Sequence, residues 1–178
     1  MARSGIIRIG VSGWSYPSWR GSFYPSDLPQ KDELAYAARR FSAIEINATF
    51  YRLQNPDSFG RWRDATPDDF VFAVRLRLRE VDVTSDVVYC RLHGSEQLYA
   101  SGYDGAALDR WAQRVRDWAC GGEPKDAERV LGPTKPRVRG RDVFLFFDND
   151  AMARAPLDAA ALIEQLARAG TKGGAPKA

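Results

Sequence analysis

Three short apolar runs, each breaking off into a knot of polar residues, constrain this chain more than any other feature. They read Ile44-Glu45-Ile46-Asn47-Ala48-Thr49-Phe50-Tyr51, Val87-Val88-Tyr89-Cys90-Arg91-Leu92-His93-Gly94 and Val143-Phe144-Leu145-Phe146-Phe147-Asp148-Asn149-Asp150. Each is too short for a surface helix and rich in β-branched or aromatic residues, so each is expected to be a buried strand. Helical patterns follow at least two of them, which implies parallel β/α units. Sites in such folds lie outside the carboxyl ends of the strands, which makes these polar knots the leading functional candidates.

The rest of the chain largely fits that rhythm. Ile6 to Val11 reads as a first strand stopped by Gly13, followed by an aromatic, proline-containing loop from Trp14 to Gly21. Leu34, Ala37, Ala38 and Phe41 recur at helical spacing. Asn55-Pro56-Asp57 is a helix start with Phe59 and Trp62 inward, and Phe70 to Leu78 is a third strand. Asp104 is an N-cap for a helix carrying Leu108, Trp111, Ala112, Val115 and Trp118 on one face. A final helix is expected from about 156 to 169, and 170–178 reads as a frayed tail.

The rhythm breaks once. Arg75-Leu76-Arg77-Leu78-Arg79 runs almost directly into the strand pattern Val81 to His93, with no helix between. A parallel connection needs about a dozen residues or more. Either the two strands form a hairpin, or a stretch of chain is missing near 75–81.

At 178 residues, 44% hydrophobic and 12% aromatic, the chain suits a single globular domain. A net charge of +3 is mildly basic and does not by itself establish nucleic-acid binding. Two cysteines without a CxxC pair argue against a disulfide framework or structural zinc. No run is long enough to cross a membrane and the start lacks a signal peptide's apolar core, so a cytoplasmic location is expected.

Strand alternation sorts the polar residues by face. Glu45 and Asn47 share one face, Arg91 and His93 another, and Asp148 and Asp150 lie opposite Asn149 if that strand extends so far. In a barrel these sets point inward, so carboxylates, an imidazole and a guanidinium converge on one cavity. That inventory suits general acid/base chemistry or metal-assisted hydrolysis. Structural readings stand beside it: an ion pair for Glu45, scaffold hydrogen bonding for His93, turn and cap chemistry for Asp148-Asn149-Asp150. The Trp14/Tyr16/Trp19 cluster is either a packed loop or a stacking platform. Gly10-Val11-Ser12-Gly13-Trp14 is not a nucleophile elbow, because its second glycine comes one place early.

Ile9-Gly10-Val11-Ser12-Gly13-Trp14-Ser15-Tyr16-Pro17, Glu45 through Leu53, Phe70-Val71-Phe72-Ala73-Val74, Arg91-Leu92-His93-Gly94 and Phe147-Asp148-Asn149-Asp150 together resemble the domain of unknown function 72 family, also called YecE-like. The motifs match in order from Ile6 to about Leu166. The resemblance implies a TIM-barrel-like fold, an activity that is not established, and polar strand-end positions corresponding here to Glu45, Asn47, Thr49, Tyr51, Arg91, His93, Asp148 and Asn149. The chain departs from the family pattern in having Arg75 where lysine is common. It also lacks further β/α units between the Phe-Ala-Val and Arg-Leu-His-Gly strands. A TIM barrel needs roughly 250 residues.

These readings set the expectations. The fold is α/β, a TIM-barrel-like domain over 1–169 that is open or incomplete because about three central units are missing, with sheet edges prone to self-association. Glu45 is the candidate base or metal ligand, His93 the proton shuttle, Asp148 the second acid and Arg91 the anion anchor. Asn47, Thr49, Tyr51, Asn149 and Trp14 are candidate substrate-binding residues. The sequence names no cofactor, metal or substrate, and the ligand is either a small molecule or nucleic acid. The alternative function is a non-catalytic module for nucleic acid or another polyanion, drawing on the aromatic cluster and on loop 121–141, where six Lys/Arg stand against three Asp/Glu. A nonfunctional remnant is the blandest reading.

Overall fold

The structure is a computed structural model that describes residues 4–47, 55–74, 86–126 and 139–170. Thr49 and Tyr51, the segment 75–85 with its suspected junction, and the basic stretch 127–138 lie outside the described residues.

Five strands form one all-parallel sheet: β1 (Ile7–Ser12), β2 (Ala43–Ile46), β3 (Val71–Val74), β4 (Val87–Leu92) and β5 (Asp142–Phe147). Their spatial order is β3-β2-β1-β5-β4. The first strand is therefore central and pairs with both the second and the last. β3 and β4, successive in the chain, stand at opposite edges. β3 and β4 do not pair with each other as the hairpin considered for them would require.

Among the described residues four α-helices cover one face of the sheet: α1 (Glu33–Ala38), α2 (Pro56–Asp64), α3 (Gly105–Ala119) and α4 (Arg154–Gly170). Two start where their sequence signals sit. The Asn55 side chain accepts from Asp57 N–H at 3.0 Å and that of Asp104 from Ala107 N–H at 2.6 Å. Each satisfies a backbone donor that the first helical turn leaves without a partner. α1 ends at Ala38, so Phe41 packs from the following turn rather than from the helix. α4 begins two residues earlier than expected, after Ala153 takes a left-handed conformation (φ 54°).

Alternation along the strands divides the side chains cleanly. Ile9, Val11, Ile44, Val88, Leu92, Val143, Leu145 and Phe147 pack with the helices in the buried core. Each such side chain contributes about 1.5–3 kcal/mol when fully buried. The other face carries Arg8, Gly10 and Ser12 on β1, Glu45 on β2, Tyr89 and Arg91 on β4, and Phe144 and Phe146 on β5. Gly10 is required there by close approach: a Cβ at this position would lie 1.8 Å from the Ala43 carbonyl oxygen. Among the described residues no helix is long and apolar enough to cross a membrane.

Candidate functional site

The polar strand ends meet because the strands are parallel and in register. Ser12 stands opposite Glu45 in the β1–β2 pair, and Gly13 N–H donates to the Glu45 carbonyl at 2.8 Å. The β4–β5 ladder runs on past its last strand residues, with Asp148 N–H donating to the Leu92 carbonyl at 2.9 Å. That contact holds Asp148 beside Arg91 and His93.

Arg91 ties the two halves together. Its Nε lies 3.0 Å from Glu45 Oε2, and Nη2 forms an ion pair with Asp148 Oδ2. Nη2 also donates to Ser12 Oγ at 3.1 Å. Glu45, wholly buried, accepts from the hydroxyls of Ser12 and Tyr89. Asn47 is drawn in through Ser12 Oγ (3.0 Å to Asn47 Oδ1) and through Tyr16, whose hydroxyl accepts from Asn47 Nδ2 at 3.2 Å and donates to the Ser12 carbonyl at 2.8 Å. A wholly buried carboxylate persists because a guanidinium and two hydroxyls replace the water it gave up.

His93 sits at the open side, with a third of its side chain exposed. Its Nδ1 lies 3.0 Å from Asp148 Oδ2, and its ring meets Tyr99 edge-on at 5.2 Å. Tyr99 has φ 63°, a costly backbone for a bulky residue. Strain of this kind gathers at functional sites.

Asp150 completes the group. Burial first, and then the charge of Asp148, push its carboxyl up to about 7, while a hydrogen bond with Tyr16 and the charge of Arg91 oppose the rise. Burial and the nearby Asp150 push the Tyr16 hydroxyl well above its ordinary range, so it stays protonated.

The expected residues divide into three groups. Glu45, Asn47, Arg91, His93 and Asp148 converge. Asn149 does not join them: wholly buried, it donates to the Ser101 carbonyl at 3.0 Å and to Asp158 Oδ2 at 2.7 Å. Asp158 also accepts from Tyr103 N–H at 3.2 Å, so this pair staples the loop after β4 to the start of α4. Trp14 packs edge-on against Trp62 at 5.3 Å, within an aromatic cluster that includes Phe72. Trp19 is wholly buried and offers no stacking surface.

Ser12 and Tyr89 are the members that sequence reasoning missed. Both signals were present. Tyr89 shares strand parity with Arg91 and His93, and Ser12 ends the first strand as the other polar residues end theirs. Among the described residues no group of three His, Cys, Asp or Glu side chains could hold a metal ion.

Fold and site together define an α/β protein with a titratable polar cluster at the carboxyl ends of a parallel sheet. The chain matches the family described as "Protein of unknown function DUF72" over residues 8–79 and 75–178, and it belongs to that family. It is 37% identical over 71 residues to UPF0759 protein YecE of Escherichia coli K12, covering 40% of this chain and 24% of that protein. It is 30% identical over 70 residues to UPF0759 protein YunF of Bacillus subtilis, covering 39% and 24%. The matching stretch thus spans about a quarter of the length of these relatives. A crystal structure of a DUF72 family protein from Thermotoga maritima superposes with a TM-score of 0.69 at 15% identity, covering 91% of this chain and 99% of that one. That likeness concerns the fold.

Proposed function

We propose that the strand-end cluster is an acid/base site for a small polar molecule, hydrolase-like in chemistry and carried on an incomplete β/α barrel. The observation that carries it is one carboxyl group, Asp150, held near neutrality within a cluster whose other carboxylates, Glu45 and Asp148, are paired with Arg91. Environments that separate neighbouring titratable groups in this way assign acid and base roles. His93 is the proton carrier that reaches solvent, with Asp148 close enough to orient its Nδ1. Asp150 is the second proton donor. Glu45 fixes Arg91, Ser12 and Tyr89, and Asn47 holds Tyr16. Asp148 with Arg91 supplies local charge for binding.

The incomplete barrel is supported by topology. In a closed β/α ring every strand pairs with its chain neighbour and the last pairs with the first. Here β5 pairs with β1, and among the described strands the break in that succession falls between β3 and β4. The two stretches matched to the family also meet there, at residues 75–79. Self-association through the sheet edges belongs to this reading.

The polyanion alternative has less support: Trp19 and Arg141 are buried, and Asp126 engages Arg114 at 2.6 Å. The test is a screen of the chain against chromogenic glycosides, esters and phosphate esters, with thermal-shift measurements on sugars and phosphosugars. A hit whose turnover falls at least ~100-fold in His93→Gln, with a loss of rate as pH rises through about 7 that disappears in Asp150→Asn, is the expected result. Absence of turnover and of ligand stabilisation across the panel refutes the proposal. So does salt-sensitive oligonucleotide binding as the sole activity.

A further inference from the structure

At the opposite, amino-terminal end of the sheet lies a cavity, about 410 Å³ in volume, within the range of small-molecule sites. It exists because β1 begins well before β2. β1 starts at Ile7, whereas its pairing with β2 starts at Gly10 opposite Ala43. The notch below Ser42 is closed by the turn before β3 and by the last turns of α4. Its wall is apolar, from Ile9, Phe41, Ile163 and Leu166. Its charged lining residues are unbalanced: Arg8, Arg39 and Arg40 stand against Asp69 among the described residues.

Arg8 is the informative one. Its side chain is only 20% exposed, yet its ion pair with Asp69 is long, at 3.9 Å, and Asp69 is 84% exposed. A guanidinium withdrawn from water ordinarily has a closer, forked acceptor. Cations at the end of α1 are explained by the helix dipole, which accounts for Arg39 and Arg40 but not for Arg8 on a strand. Arg40 is held in place over the Tyr36 ring at 3.5 Å and donates to the Tyr36 carbonyl at 3.2 Å. A pre-set group of cations above an apolar wall selects an anion with a hydrocarbon body.

We propose that this cavity binds a small amphipathic carboxylate, its head on Arg8 and its apolar body against Ile163 and Leu166. The site is independent of the strand-end cluster and needs none of its residues.

The test is calorimetric titration of the full chain with octanoate, with octylammonium and octanol as controls. Octanoate binds one per chain, and the two controls bind at least ~10-fold more weakly. Arg8→Gln weakens octanoate by about tenfold, and Ile163→Trp, which fills the cavity, abolishes binding; circular dichroism confirms that each variant is folded. If Arg8→Gln fails to fold, the Arg39→Gln/Arg40→Gln variant takes its place, with the same tenfold loss expected. No octanoate binding at millimolar concentration, equal binding of all three probes, or affinity unchanged in the folded variants overturns the proposal. His93→Gln leaves octanoate affinity as it was, which separates this site from the proposed acid/base one.

Discussion

Replacing Arg91 by methionine is the sharpest test of the cluster, because this guanidinium stands between two carboxylates. Glu45 is wholly buried and the Asp148 side chain only 7% exposed, while Arg91 itself is 13% exposed. At 3.0 Å from Glu45 Oε2 and an effective dielectric of about 20, the gross attraction is roughly 5 kcal/mol. Removing one partner of a buried pair costs about 3–5 kcal/mol, because the other charge stays uncompensated. Against a typical stability of about 5–15 kcal/mol that is a large fraction, and it lowers the melting temperature by about 6–20 °C. Urea titration followed by tryptophan fluorescence measures it. Adding Glu45→Gln to Arg91→Met removes the stranded charge, so the double variant recovers more than about 1 kcal/mol relative to the sum of the single losses. A loss below about 1 kcal/mol for Arg91→Met, or strict additivity in the cycle, refutes the argument that this ion pair organises the site.

The pH dependence of Asp150 follows from linkage. Its folded-state value, about 7, lies above the ordinary aspartate value of 3.8. The folded chain therefore holds an extra proton between about pH 4 and 7, and the stability this group contributes is lost as pH rises through 7. Asp150→Asn is neutral near pH 4 and stabilising at pH 8, by on the order of 4 kcal/mol; a stability difference that does not change with pH contradicts this. Gly10→Ala drives a Cβ into the Ala43 carbonyl 1.8 Å away and so separates β1 from β2. Loss of soluble folded protein is expected, and a variant that melts like the parent disproves the close approach. Burial pushes the Cys90 thiol up to about 12, whereas Cys120 is exposed. Mass spectrometry after brief iodoacetamide treatment at pH 8 should find the label on Cys120 alone; equal labelling at Cys90 contradicts its burial.

Local chemistry made much of the fold legible. The helix starts at Asn55 and Asp104 were readable because a cap needs only the residue and its next three neighbours. Strand parity placed Glu45, Asn47, Arg91 and His93 correctly, since alternation is a property of one strand. The alternation carries on past Phe147, where β5 ends: Asp148 and Asp150 lie in the cluster and Asn149 lies away from it, against the strand-end place the family resemblance gave Asn149. There Asp148 turns to Arg91 and His93, while Asn149 turns to Asp158. Ser12 went unread because its importance comes from neighbours 33 and 79 residues away.

The sequence by itself determined the class of element, the polar endings of the strands and the place where the β/α rhythm breaks. Those features follow from side-chain shape, alternation and spacing over a few residues. Tertiary structure decided that β1 is central, that β3 and β4 stand at opposite edges, and that Arg91 bridges Glu45 to Asp148. It also raised Asp150 toward neutrality and opened the notch beside Arg8. Each of these depends on which distant strands share a register and on how much water their packing excludes.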